Sequence, residues 1–217
     1  MTRTALLLVI PMLLCAGCYY GAMQGAHTLG NDHMIFRGSM MFPAFFSAED
    51  RREADESGED DMDISPSFTF ATGATSRLDV GVSAYGYGVG PMVKVGILDP
   101  SSPEAVSVLA GASYVIPARV IATRASIAAG RRFGPDFEAW AGYEFGYSPD
   151  LLNIPEDSEG GLDWDAVDNT FFHGISLGLQ YELGIPDSWV PESVVIEFVI
   201  PLGLRWDMIA AGLGVTY

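Results

Sequence analysis

Apolar and polar residues alternate along most of this chain with a period of two, which is the period of β-strands. The alternation predicts ten strands, over residues 33–46, 64–74, 77–87, 91–99, 105–116, 121–133, 137–147, 170–184, 193–204 and 206–217. No segment keeps the 3.6-residue period of an amphipathic helix. The pattern therefore predicts an all-β fold, a single antiparallel up-and-down sheet of about ten strands (roughly 8–12).

The connections between these strands are unequal in length. Two long segments, 47–63 and 148–169, lie on one side of the sheet. The connections assigned to the other side are short: Thr75-Ser76, Pro100–Glu104, Gly134–Asp136, Ile185–Glu192 and a turn near Arg205. Transmembrane barrels with an even number of strands combine short periplasmic turns with longer external loops, and both termini are periplasmic. We therefore expect a transmembrane β-barrel with this sidedness.

The two faces of the predicted strands differ in composition. In the sixth strand, Ile121 and Ile127 share one face, whereas Arg124 and Ser126 lie on the other. Along the whole sheet the polar face is dominated by Gly, Ala and Ser, whereas a solvated sheet carries many Lys, Glu and Thr. Small residues suit the interior of a narrow closed barrel. The alternative is a soluble sandwich or lipocalin-like barrel, in which the apolar face is the core.

A sparse set of charged residues of both signs falls on the polar face. These candidate lumen charges are Arg37, Asp79, Lys94, Arg124, Arg132, Glu138, Glu144, Glu182 and Glu197. Inside a barrel they could pair across the lumen, which lessens the cost of removing them from water.

The N-terminus has the form of a cleaved leader. Arg3 precedes an apolar run of ten residues, 5–14, which is too short to span a bilayer as a helix. The next four residues, Cys15-Ala16-Gly17-Cys18, resemble a bacterial lipobox, with Cys15 in place of the commoner Leu. The resemblance implies a signal peptide over 1–17 and a lipidated Cys18, followed by a linker over 18–32. The residue after Cys18 is Tyr19, whereas an Asp at this position signals inner-membrane retention in enteric bacteria.

The net charge of −17 is concentrated in the two long loops. Segments 47–63 and 148–169 hold 16 of the 28 acidic residues, so the predicted strands and turns are close to neutral. Such a distribution suits a body in lipid with acidic external loops. The chain lacks the basic stripe that binding to nucleic acid requires. Its 49% apolar content is not that of a disordered acidic protein.

These features together are similar to those of small bacterial outer-membrane β-barrel proteins. The likeness rests on the lipobox, the linker, the strand Arg77-Leu78-Asp79-Val80-Gly81-Val82 and a meander that ends at Tyr217, and it covers most of 33–217. It implies location in the bacterial outer membrane, contact with outer-membrane lipid, and processing by lipoprotein-processing and barrel-assembly machinery. Because this class includes porins, structural barrels, adhesins and enzymes, the fold leaves the activity open.

The sequence offers no compelling catalytic set. In the segment Phe172–Ser176, His173 and Ser176 have the spacing His-x-x-Ser, which places them on opposite faces, whereas lipid A deacylases have His-x-Ser. Asp150, Asp168 and His173 could serve an outer-rim peptidase, but their spacing does not require it. We therefore expect no enzyme activity, and a hydrolase of lipid or peptide at the outer rim is the minor alternative.

The acidic loops suggest divalent cations only weakly. Asp163, Asp165 and Asp168 are the candidate metal ligands, but neither loop has the spacing of an EF-hand. A solvated anionic loop, screened by divalent cations at the cell surface, is the favoured interpretation, and no cofactor is expected. The sequence therefore predicts a lipid-anchored barrel over 33–217 with a structural, interaction or narrow-pore role. A periplasm-facing lipoprotein barrel that binds an apolar ligand is the main alternative.

Overall fold

The computed structural model describes residues 24–45, 47–57, 65–85, 88–116, 118–149, 163, 166–167, 169–184, 190–202 and 208–217. Ten strands and one helix run in the order β1 (Met34–Phe45), α1 (Ala48–Ser57), β2 (Ser65–Thr75), β3 (Leu78–Tyr85), β4 (Gly88–Gly96), β5 (Glu104–Val115), β6 (Val120–Arg132), β7 (Phe137–Pro149), β8 (Asn169–Glu182), β9 (Ser193–Leu202) and β10 (Met208–Thr216). All ten predicted strands are present, with ends that differ from the prediction by no more than about three residues.

The strands form one closed antiparallel barrel in which each strand pairs with its neighbours in sequence. The first and last strands close the barrel, in a register that sets Arg37 opposite Thr216 and Phe45 opposite Met208. Backbone hydrogen bonds in both directions between Phe36 and Tyr217 extend this closure beyond β10. The closed ring leaves no unpaired sheet edge, which is the property that allows strands to cross a membrane.

Both described ends of the chain lie at the same end of the barrel, here called the termini end. The connections β2–β3, β4–β5, β6–β7 and β8–β9 are at this end, and the other five connections, including 46–64 and 150–168, are at the opposite or far end. The sequence analysis places the turn near Arg205 among the short connections of the other side, and this prediction is wrong, because the turn follows the odd-numbered strand β9 and so belongs to the far end. Its residues, 203–207, are outside the described part.

The segment expected to be an irregular acidic loop contains a helix, α1. The helix lacks an apolar face, so the absence of a 3.6-residue hydrophobic period did not exclude it. Its residues are mostly Ala, Glu, Asp and Arg, and Ser47 stands before it as a residue type that favours helix starts. Arg52 and Glu56 are 3.5 Å apart at i, i+4 spacing, and both are well exposed. None of the helices in the described residues is both long and apolar enough to cross a membrane.

The barrel is apolar on the outside and polar on the inside. Outward side chains such as Val82, Ile127, Leu177 and Leu213 are 47–52% exposed. The alternate positions on the same strands face inward and are buried, as Ser83, Ser126 and Ser176 show at 2–9% exposure. This burial pattern agrees with the assignment of faces from sequence, and it is the reverse of the pattern in a water-soluble protein.

Candidate functional site in the barrel lumen

The structure places the nine predicted lumen charges on the inward side of the strands. Arg37, Asp79, Lys94, Glu138, Glu144 and Glu197 are buried, Arg124 and Glu182 are half-buried, and Arg132 is exposed at the termini end. Arg132 Nε lies 3.7 Å from Glu138 Oε2, and the register sets Asp79 directly opposite Lys94 on the neighbouring strand. Neutral side chains also take part, since Arg37 donates to Thr216 Oγ1 at 2.8 Å and to Gln180 Oε1 at 3.0 Å. Pairing between charged side chains is therefore only part of how the lumen accommodates its charges.

Residues 24–30 lie inside the lumen at the termini end, where they form a short segment that we call the plug. The sequence places these residues in the linker over 18–32 and gave no sign that part of this linker packs inside the barrel. Ala26 is fully buried, and Gln24 and His27 are 6% and 8% exposed. Gln24 reaches deepest, with its Nε2 at 3.2 Å from Met92 Sδ. The plug therefore enters the barrel from the termini end and fills part of its interior.

Two carboxylates on the barrel wall accept hydrogen bonds from the plug backbone. Glu138 Oε1 accepts from the N–H of Ala26 at 2.7 Å and from that of His27 at 3.2 Å. Asp79 accepts from the N–H of Leu29 through both oxygens, at 3.0 and 3.1 Å. Hydrogen bonds to ionised acceptors are stronger than neutral ones, so these three N–H groups fix the plug in register.

Lys94 binds carbonyl oxygens of the same backbone. Its Nζ donates to the carbonyl oxygen of Gly25 at 2.7 Å and to that of His27 at short distance. Lys94 is the one lysine in the sequence and is 4% exposed. Because its ammonium group is buried, these carbonyls help to replace the water that it would otherwise bind. Asp79, Lys94 and Glu138 together form what we call the backbone clamp.

Small residues make the close approach of the plug possible. A Cβ at Gly25 would lie 2.7 Å from Glu138 Oε1, and a Cβ at Gly130 on the wall would lie 2.8 Å from Ala26 Cβ. The wall at Gly73 is closer still, because a Cβ there would be 1.7 Å from the carbonyl oxygen of Gly30. Larger side chains at these positions would push the plug away from the clamp.

The plug leaves a polar cavity of about 250 Å³ at the termini end. Its lining includes the clamp residues together with Arg37, Arg132 and Glu182. The next cavity inward, lined by Trp140, Glu144 and Glu197, has room for only about 10 Å³. The described side chains around Trp140, Glu144 and Glu197 therefore leave little open space between them.

Large and small residues alternate around the barrel at this filled level. On successive strands β6 to β10 the register sets Gly130 beside Trp140, then Gly178, Glu197 and Gly212. A Cβ at Gly178 would lie 2.0 Å from Trp140 Cζ2, so the indole lies directly over the glycine of the next strand. Phe172 covers Gly146 in the same way, at 2.3 Å. The glycines of the polar face thus provide the space that large inward side chains need.

The other predicted sites are more dispersed. Cys18, Asp165 and Asp168 are outside the described residues, and Asp163 is half-buried. Within the described ranges no three His, Cys, Asp or Glu side chains lie close enough to hold a metal ion. His173 lies outside the barrel, where its Nδ1 is 2.9 Å from the hydroxyl of Tyr143, whereas Ser176 is buried inside. His173 and Ser176 are thus on opposite sides of the wall, as their spacing predicted.

Fold and lumen together define the chain as a closed ten-stranded antiparallel β-barrel with a polar interior and an apolar outer surface. No protein-family model matches it, and no curated protein does. The N-terminal β-barrel domain of OprF from Pseudomonas aeruginosa is similar, with 13% identity, a TM-score of 0.35, and coverage of 87% of this chain and 99% of that chain. A loop-deletion mutant of OmpT, an outer membrane protein of Vibrio cholerae, has 13% identity, a TM-score of 0.36, and coverage of 95% and 72%. Both likenesses are too distant to assign a function.

Proposed function

We propose that this protein is a bacterial outer-membrane β-barrel, anchored by a lipid at Cys18, with a structural or interaction role and a closed lumen. The observation that carries the proposal is the reversed burial pattern. Phe70, Ile127 and Leu213 are 47–52% exposed on the outside, whereas Asp79, Lys94 and Glu197 are 0–4% exposed inside. In water the outer surface would be a large apolar patch, whereas in a bilayer it is the surface in contact with lipid.

The filled lumen favours a structural or interaction role over that of a pore. Trp140 and Glu197 lie at one level of the lumen, Phe172 lies nearer to the far end, and the plug occupies the termini end. Barrels with few strands leave an interior that side chains can fill. The alternative of a periplasmic barrel that binds an apolar ligand is not favoured, because charged and other polar residues make up most of the lining of the 250 Å³ cavity.

In this proposal the termini end faces the periplasm and the acidic far-end segments face outward. That sidedness is the usual one for barrels with an even number of strands, and α1 lies in one of the outward segments. Outer-membrane lipid is then the main partner, and divalent cations in the surface lipid layer screen the acidic loops. Lipoprotein-processing and barrel-assembly machinery would act on the chain during export.

The test is detergent extraction combined with gel migration. Membranes that contain the protein are washed with carbonate and then extracted with a mild detergent, and the extract is run unheated and heated. We expect release only by detergent and a heat-dependent shift in migration. A mature chain from Tyr19 that is monomeric and soluble without detergent would refute the membrane proposal.

Conductance in planar bilayers separates a closed barrel from a pore. We expect the reconstituted protein to give no steady channel steps, because the central cavity of about 10 Å³ holds no more than a water molecule. Stable uniform steps would instead support the narrow-pore alternative while leaving the membrane location intact.

A further inference from the structure

We propose that the termini end of the lumen is a binding site for a bent peptide main chain, occupied here by residues 25–29 of the same chain, which bend at Ala26 and His27. The site is the backbone clamp of Asp79, Lys94 and Glu138. The inference does not depend on the membrane that holds the barrel, because every contact involved lies inside the lumen.

Most of the polar contacts of the clamp are with peptide groups. Glu138 and Asp79 accept from the N–H groups of Ala26, His27 and Leu29. Lys94 donates to the carbonyl oxygens of Gly25 and His27. Acceptors and a donor are thus spaced along five consecutive residues, and the groups they bind are present in any peptide that lacks proline at the donor positions.

Side chains of the plug contribute fewer polar contacts to the wall. Gln24 is hydrogen-bonded to the sulfur of Met92, a weak acceptor, and Thr28 Oγ1 donates to the carbonyl oxygen of Ser76 at 2.9 Å. His27 approaches Glu138 Oε2 with Nδ1 at 3.2 Å. The deepest two clamp contacts fall instead on Gly25 and Ala26, which have little or no side chain. Recognition therefore requires a backbone that bends at the positions of Ala26 and His27, with small residues where the wall is closest.

Burial makes the clamp and its peptide interdependent. Asp79, Lys94 and Glu138 are 1–6% exposed, so the three charged groups have little access to water while the peptide is bound. The peptide groups of residues 25–29 take the place of that water as hydrogen-bond partners of the three charged groups. Loss of one N–H from the peptide leaves a buried carboxylate short of a donor, which penalises the bound state.

A thiol at position 24 reports whether the peptide is bound. In the refolded full-length chain with Cys15 and Cys18 changed to serine, Gln24→Cys places the only thiol at a site that is 6% exposed. Its rate of labelling by a polar maleimide, measured in detergent micelles, gives the fraction of time that the plug is out of the lumen. The gel shift on heating verifies for each variant that the barrel is folded.

Two matched pairs of variants separate backbone recognition from side-chain packing. Leu29→Pro removes the N–H that donates a hydrogen bond to Asp79, and Leu29→Ala keeps it. Lys94→Met removes the clamp cation. Its control, Arg124→Met, removes a cation that donates to Ser83 on the wall. We expect labelling to be about tenfold faster or more in Leu29→Pro and Lys94→Met, because hydrogen bonds to charged groups contribute that much to an equilibrium. Leu29→Ala and Arg124→Met should remain within about threefold of the parent.

Three results would overturn the proposal. Equal labelling of Leu29→Ala and Leu29→Pro would show that side-chain contacts hold the segment. A parent that is labelled as fast as the denatured chain would show that position 24 is not buried in solution. Parent-like labelling of both Leu29→Pro and Lys94→Met would show that the clamp is not what binds the plug. If Lys94→Met does not fold, the Leu29 pair decides alone, because its changes lie outside the barrel wall.

Discussion

The contact between Trp140 and Gly178 allows a direct test of how the lumen is packed. Trp140 is 5% exposed, and a Cβ built on Gly178 lies 2.0 and 2.1 Å from two atoms of the indole ring. Gly178→Ala therefore cannot be accommodated unless the indole moves. The ring has little space to move into, since the cavity beside it holds only about 10 Å³. Overpacking of this kind costs about 1–3 kcal/mol.

The matched control is another inward glycine with ordinary space around it. A Cβ at Gly111 would meet its nearest atoms at 3.4–3.7 Å, which is normal van der Waals contact. We expect Gly111→Ala to change the free energy of unfolding by less than about 1 kcal/mol, with stabilisation the more common sign for such a substitution. Unfolding in guanidinium chloride, followed in micelles by the loss of heat-modifiable migration, measures both variants on one scale.

A double-mutant cycle identifies the cause of any loss. In a Trp140→Leu background the ring is gone, so Gly178→Ala should cost less than about 0.5 kcal/mol there. The two substitutions would then have a coupling energy of about 1–3 kcal/mol. An equal cost of Gly178→Ala in both backgrounds would refute the reasoning, because the loss would then come from the strand backbone rather than from the indole.

Two other predictions concern the lipid. Leu177 is 47% exposed at an outward position in the middle of β8, and Leu177→Arg should destabilise the barrel in a bilayer by about 2–4 kcal/mol. Tyr181 lies near the end of the same strand, and Tyr181→Arg should cost no more than about 1 kcal/mol. Unfolding in vesicles measures both costs. A cost below about 0.5 kcal/mol for both would indicate that this face is in water. Cys18→Ser should abolish incorporation of radioactive palmitate in growing cells while Cys15→Ser retains it, and label that persists in Cys18→Ser would show that the anchor is elsewhere.

The strands could be predicted from the sequence because their burial has a strict period. A barrel wall has one face in contact with lipid and one toward the lumen, so Ile127 and Ser126 had to differ in character. The same logic identified Lys94 and Glu138 as inward-facing. The strand ends were accurate to about three residues, because Gly and Pro mark the turns.

The plug could not be predicted by the same means. Its backbone is bound by groups that are distant in sequence, and residues 24–30 have neither a hydrophobic period nor a turn motif. The nearest signal was the inward position of Asp79, Lys94 and Glu138, three charged groups that a closed barrel buries. The helix α1 was missed for the opposite reason, since its intrinsic propensity is high and it has no apolar face to reveal it.

The clamp also constrains the order in which the molecule can assemble. Ala26 and Glu138 are separated by 112 positions in sequence, and Lys94 is 69 positions from Gly25. The site for residues 25–29 is therefore incomplete until β3, β4 and β7 have come together as parts of one wall. Contacts between such distant residues form late because the long intervening chain must first be ordered. This segment is synthesised before the first strand, but it is among the last parts of the chain to dock. It docks only in a barrel whose wall has already formed.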